Sequence, residues 1–165
     1  MSDTGSVSLA RPQSDCVVSV SVVTHNQRDW ILDTLHSVSA QQCSFPIEII
    51  IADDASTDGT REAALEWAAE YDGVCHVLPP AERLGISANH RRAFAAARGD
   101  AIAVIEGDDL WIRTDKLERQ YSALSADPSL AMVACRHVIV DGSGAEPRRG
   151  DLAIDGGFIG AVGEV

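Results

Sequence analysis

What this chain does without narrows its function before any motif is read. Cations are scarce: 13 Lys and Arg face 25 Asp and Glu, a net charge of −12 over 165 residues. Lys116 is the single lysine. A surface for nucleic acid or anionic lipid needs clustered Lys and Arg, so no nucleic-acid partner is expected. The two commonest glycine-based phosphate cradles are missing as well. No G-x-G-x-x-G follows the first strand and no G-x-x-x-x-G-K-S/T occurs; Gly156-Gly157…Gly160 is a weak echo in the wrong place. No apolar run approaches the ~20 residues of a membrane-spanning helix. The first fifteen residues lack the apolar core of a signal peptide. Cys16, Cys43, Cys75 and Cys135 lie far apart, without zinc-type spacing. They read as small side chains, two of them in apolar runs, in a reducing compartment. A cytoplasmic protein follows, membrane-associated at the cytoplasmic face only through other segments.

What is present is ordinary globular sequence, 45% hydrophobic and 23% charged, long enough for one domain with a real core. Residues 1–15, rich in Ser, Asp, Gly and Pro, read as a flexible leader. The β-branched run Cys16–Val23 suits a strand buried on both faces of a parallel sheet. Asn26 is placed to cap a helix whose Ile31, Leu35 and Val38 share one face. A second strand, Ile47–Ala52, ends in Asp53-Asp54. Residues 55–60 then turn into a helix with Leu65, Ala68 and Ala69 as its expected stripe. Asp58 reads as a capping residue of that turn. Val74–Leu78 is a third strand. A helix follows Arg83-Leu84-Gly85-Ile86-Ser87-Ala88-Asn89, with Ala93, Phe94 and Ala97 inward and Gly99 at its stop. The fourth strand is Ala101–Ile105. Thr114 caps a helix carrying Leu117, Tyr121 and Leu124, and Leu130–Val140 is a further apolar strand before a Gly-rich tail. Strands alternating with helices predict an α/β fold with a mainly parallel sheet flanked by helices.

The fourth strand runs straight into Glu106-Gly107-Asp108-Asp109-Leu110-Trp111, three carboxylates in four residues. Such neighbours repel unless a cation or hydrogen-bond donors hold them. Hard oxygen ligands suit magnesium or manganese; an acidic turn fits this stretch equally. Ligands of parallel sheets bind outside the carboxyl ends of the strands. Thr24-His25-Asn26, Asp53-Asp54 and the Glu106–Asp109 cluster all follow strand ends, so the topology sends all three to one edge. A phosphate-bearing ligand there would be neutralised by a metal and by helix N-termini.

In order, Val-Ser-Val-Val-Thr-His-Asn, Ile-Ile-Ile-Ala-Asp-Asp-Ala-Ser-Thr-Asp-Gly-Thr, Arg-Leu-Gly-Ile-Ser-Ala-Asn and Glu-Gly-Asp-Asp-Leu-Trp resemble the family 2 glycosyltransferases over about Val17 to Val140. The resemblance implies an inverting, divalent-metal-dependent enzyme of GT-A fold, like other nucleotide-diphospho-sugar transferases, with a UDP-, GDP- or dTDP-sugar donor. It implies a carbohydrate or lipid-linked acceptor, as in polysaccharide biosynthesis. Thr24, His25 and Asn26 would then belong to the nucleobase end of the site, Asp53 and Asp54 to base and ribose, and Gly85 and Asn89 to the donor loop. Asp109 would bind Mg2+ or Mn2+, with Asp108 near ribose or sugar and Glu106 standing where many members have Asp. Arg83 replaces the usual Asn before Leu-Gly, and Arg91 stands where Asn often follows. Either Arg could meet phosphate, but a solvated residue is the stronger reading.

The resemblance places the general base in an acceptor half downstream. Only Glu146, Asp151, Asp155 and Glu164 lie in that direction, none with the expected surroundings, so the catalytic base is unassigned. Residues 16–145 thus read as the nucleotide-sugar-binding domain, and 146–165 as a tail or the start of a missing acceptor half. Truncation predicts exposed apolar surface, which favours homo-oligomers. The alternative is a non-catalytic nucleotide-binding or regulatory domain of the same fold. A receiver-type phosphoacceptor domain needs its acid pair after the first strand and a late lysine, and Lys116 sits on a helix. A phosphohydrolase needs a nucleophilic Asp just after the first strand, and Asp29 falls within a helix.

Overall fold

The computed structural model describes residues 16–135, which fall into two compact units divided after Asp115. The first unit alternates β1 (Val18–Thr24), α1 (Ile31–Ser39), β2 (Ile47–Asp53), α2 (Thr60–Glu70), β3 (Val74–Val77), α3 (Ile86–Ala96) and β4 (Ala101–Glu106). The sheet order is β3-β2-β1-β4, and all three pairings are parallel. The chain steps from β1 outward to β3, then returns through α3 to the far side of β1. That reversal makes the β1/β4 boundary the switch point, where the carboxyl ends of two strands open a crevice.

The core follows from the alternation along the strands. Val20, Val22, Ile49 and Ile51 are fully buried on one face, as are Ile31, Leu35 and Val38 of α1. On the other face Val23, Ile50 and Ala52 pack with Ala93 and Ala97 at the end of α3. Fully burying one such aliphatic side chain is worth about 1.5–3 kcal/mol, so two covered faces fix the register of β1 and β2 firmly.

At the amino ends of the strands sits a buried carboxylate. Glu48, opposite Ser19 in the β1/β2 register, accepts hydrogen bonds from the Ser19 hydroxyl (2.6 Å), the Arg98 N–H (2.8 Å) and Arg98 Nε (2.9 Å). Arg98 Nη2 completes the ion pair at 2.7 Å. Burial alone would raise the Glu48 pKa; the Ser19 hydroxyl and the Arg98 N–H and guanidinium outweigh it and hold the carboxyl below its ordinary value.

Two expectations about faces are corrected. The inward face of α2 is Thr60, Ala63 and Ala64; Leu65 is 45% exposed, and Ala69 points out as well. Small side chains serve where α2 meets both α1 and the sheet. In α3 the buried residues are Asn89 and Ala93, with Ala97 just after it, while Phe94 is 37% exposed. β4 is an edge strand among the described residues: Ile105 faces the core, but Ile102 and Val104 are 38% and 45% exposed.

In the second unit, α4 (Lys116–Ala126) buries Leu117, with Tyr121 and Leu124 half-buried on the same face. The strand expected over Leu130–Val140 is represented through Cys135 only by an isolated bridge at Ala134; its remainder, residues 1–15, and Glu146, Asp151, Asp155 and Glu164 lie outside the described residues. No helix among the described residues is long and apolar enough to cross a membrane.

Candidate functional site

Two loops leave the carboxyl ends of β1 and β2 and are bonded to each other. Asn26 does not cap α1: the helix starts at Ile31 without a side-chain cap. Instead Asn26 adopts a positive φ of 52°, accepts the Thr57 N–H on Oδ1 (2.8 Å) and donates its own N–H to the Ser56 hydroxyl (2.8 Å). The Gln27 N–H donates to Thr60 Oγ1 (2.8 Å) and the Arg28 N–H to Asp58 (3.0 Å). Asp58 also accepts the Thr60 N–H (3.0 Å) and hydroxyl (2.5 Å). Desolvation opposes these bonds, but they hold the Asp58 carboxyl below its ordinary pKa.

The Asn26 amide also fixes a proton. Its oxygen is committed to Thr57, so its Nδ2 faces His25 Nε2 at 3.3 Å. An amide nitrogen can only donate; Nε2 therefore accepts, and the neutral ring carries its hydrogen on Nδ1. That atom is buried without a partner among the described residues.

The acids after β2 are occupied. Asp53 accepts the Ser56 N–H (3.0 Å) and hydroxyl. Asp54, 4% exposed, accepts the Leu84 N–H on Oδ1 (2.7 Å) and the Gly85 N–H on Oδ2 (2.9 Å). One carboxylate thus clamps the loop before α3. The clamp needs Gly85 at φ 80°, a region glycine enters without strain. Asn89 Nδ2 donates to the Ala52 carbonyl (2.7 Å), its buried Oδ1 has no partner among the described residues, and Arg92 Nη2 donates to the Asp53 carbonyl (2.9 Å). The start of α3 is therefore pinned to the end of β2.

The acids after β4 are different. The Gly107 N–H continues the pairing with β1 by donating to the Val23 carbonyl (2.9 Å). A Cβ on Gly107 would lie 2.6 Å from both Thr24 Oγ1 and Gln27 Oε1; only glycine lets β4 turn this close to β1. The following backbone is strapped to α1: Thr34 Oγ1 donates to the Asp109 carbonyl (2.9 Å), and the Trp111 N–H donates to the Ser37 hydroxyl (3.1 Å). The Glu106, Asp108 and Asp109 side chains are exposed, with no hydrogen bond or ion pair among the described residues.

A cleft of about 210 Å³ opens at the switch point. Of the residues nominated from the sequence it gathers Thr24, His25, Asp54, Gly85, Asn89 and Glu106. Asn26, Asp53, Asp108 and Asp109 do not line it. Thr24 and Asp53 are register partners, as are Val23 and Glu106, so the three strand ends share one edge. Sequence reasoning passed over Gln27, which takes the Thr24 hydroxyl on Oε1 at 2.8 Å, and Arg83, which it left to solvent although the cleft wall includes it. No local pattern marks Gln27; the departure at Arg83 was the available signal.

Among the described residues no three His, Cys, Asp or Glu side chains form a cation cage. Exposed hard-oxygen donors such as Glu106, Asp108 and Asp109 suit a magnesium-type ion, which takes one or two carboxylates and completes its shell with water and substrate phosphate.

Comparison with known proteins adds an independent line. Residues 19–160 match the family model described as glycosyl transferase family 2. An uncharacterized protein of Mycobacterium tuberculosis is 36% identical over 122 residues, 74% of this chain and 35% of the relative. The putative teichuronic acid biosynthesis glycosyltransferase TuaG of Bacillus subtilis is 42% identical over 105 residues, 63% of this chain and 40% of the relative. Among solved structures, the mannosyltransferase PcManGT of Pyrobaculum calidifontis, in complex with GDP-Man and Mn2+, superposes with a TM-score of 0.63 at 31% identity, covering 68% of this chain and 33% of that one. The chain thus spans 33–40% of the length of these relatives.

Proposed function

The chain belongs to glycosyl transferase family 2 and has a GT-A-type fold, and from that premise we propose that its switch-point cleft binds the nucleoside diphosphate of a nucleotide-sugar together with Mg2+ or Mn2+. The observation that carries the reading is the convergence of three strand ends and the start of α3 on one cleft that holds Thr24, His25, Asp54, Gly85, Asn89 and Glu106. Thr24, His25 and Asn89 would face base and ribose. Among the described residues the Nδ1–H of His25 is an unpartnered donor and Asn89 Oδ1 an unpartnered acceptor. Buried polar groups are normally satisfied, and polar groups of a bound nucleotide would complement the two. Asp53 and Asp54 then act through the loops they hold.

Asp109, aided by Asp108 and Glu106, would hold the cation, which neutralises the diphosphate as it departs. The donor is a UDP-, GDP- or dTDP-sugar. Inverting transfer to a carbohydrate or lipid-linked acceptor is the activity proposed for the whole protein, and it requires a general base to take the acceptor proton. PcManGT, with its GDP-Man and Mn2+, supports the donor and metal assignment by likeness.

Isothermal titration with UDP, GDP and dTDP, with and without Mn2+, tests this. One of the three is expected to bind at a single site and more tightly with metal. Binding to none, or binding indifferent to metal, contradicts the proposal.

A further inference from the structure

A diphosphate entering this protein meets a net charge of −12 and a rim carrying Glu106, Asp108 and Asp109. We propose that Arg83 is the protein's own cation for that diphosphate, an inference that rests on the cleft being a nucleotide site. Arg83 is the sole Lys or Arg among the residues lining the cleft. Its guanidinium has no hydrogen bond or ion pair among the described residues, whereas Arg98 is committed to Glu48, Arg113 to Asp115 and Arg92 to the Asp53 carbonyl.

Asp54, an acid of the same wall, does not restrain it. Both oxygens of Asp54 are occupied by the N–H groups of Leu84 and Gly85, the two residues that follow Arg83. The same clamp that consumes this carboxylate fixes the backbone from which Arg83 projects. The cost of ordering is then confined to one side chain. A guanidinium presents a planar fork that matches two phosphate oxygens, which a lysine ammonium cannot do. It comes from the loop before α3, while the free carboxylates come from the end of β4. The diphosphate would therefore be neutralised from two elements, by Arg83 and by a cation on the acidic turn.

The test is titration of the full 165-residue chain at low salt with Mn2+ present, comparing UDP, GDP and dTDP with their nucleosides by calorimetry and NMR. Failure of the wild type to bind any nucleotide overturns the nucleotide-site reading, and Arg83 with it. Where the wild type binds, Arg83→Ala is expected to weaken the diphosphate about tenfold, as for loss of a charge-assisted contact, and to leave the nucleoside affinity unchanged. Arg83→Lys should recover part of the loss, and the difference between wild type and Arg83→Ala should shrink at high salt. The site is exposed, so Arg83→Ala should melt with the wild type. Unchanged diphosphate affinity in Arg83→Ala, or equal losses for diphosphate and nucleoside, overturns the assignment and leaves the nucleotide site standing.

Discussion

The acidic residues around the sheet fall into two groups. Glu48, Asp53, Asp54 and Asp58 are engaged: between them they accept hydrogen bonds from Ser19, Arg28, Ser56, Thr60, Leu84, Gly85 and Arg98. The side chains of Glu106, Asp108 and Asp109 are exposed and bond to nothing among the described residues. The first group lies on β2 and the turn after it, the second on the end of β4. A carboxylate that already accepts strong donors has little capacity left for a ligand; one left bare at a strand end has all of it. The comparison assigns scaffold to the β2 side and chemistry to the β4 side, though the sequence shows both simply as runs of Asp and Glu.

Substitutions on the two sides should separate stability from binding. The largest loss of stability is expected at Glu48→Ala, about 2–3 kcal/mol by urea unfolding, below the 3–5 of a fully buried pair because Arg98 is half exposed. Asp54→Asn removes one acceptor from the loop clamp and should cost about 1–2 kcal/mol. It should also speed amide exchange at Leu84 and Gly85, and protection equal to wild type there would break the scaffold assignment. Asp108→Asn and Asp109→Asn should each stay within about 0.5 kcal/mol of wild-type stability. Asp109→Asn should nevertheless weaken Mn2+-dependent nucleotide binding about tenfold or more, the scale of losing a charge-assisted contact. A destabilised Asp109→Asn protein would place that residue with the scaffold.

The smallest effect is in acid. Glu48 and Asp58 have folded-state pKa values below their ordinary 4.5 and 3.8. Their contributions are therefore complete above those values and are lost as pH falls through the depressed ones. Stability measured from pH 7 downward should hold until about pH 4.5 and then decline, and Glu48→Gln should flatten the first part of that decline.

The order of elements was legible because apolar runs and Gly or Pro breaks mark it directly, and the strand-end acids could be assigned to one edge once a parallel sheet was inferred. Three things were not legible, each for a physical reason. A continuous apolar run does not reveal whether its strand is central or at an edge, so nothing in Ala101–Ile105 marked Ile102 and Val104 as partly open. In α2 alanines occur all round the helix, and the inward face was set by close approach to α1, which favoured Ala63 and Ala64 over Leu65. The bonds that tie Asn26, Gln27 and Arg28 to Ser56, Thr57, Asp58 and Thr60 join residues about thirty positions apart, beyond any local pattern. Asn26 therefore read as a helix cap when it is a loop tie.

The central claim, that three loops meet around one nucleotide-bound cation, is tested most directly by paramagnetic broadening. With Mn2+ and the tightest-binding nucleoside diphosphate added, amide signals of residues 24–26, 53–54 and 106–109 should broaden together while those of Val74 and Cys75, at the amino end of β3, stay sharp. Broadening centred instead on the acidic surface of α2 at Glu62, Glu66 and Glu70, with the three loops unaffected, would contradict it.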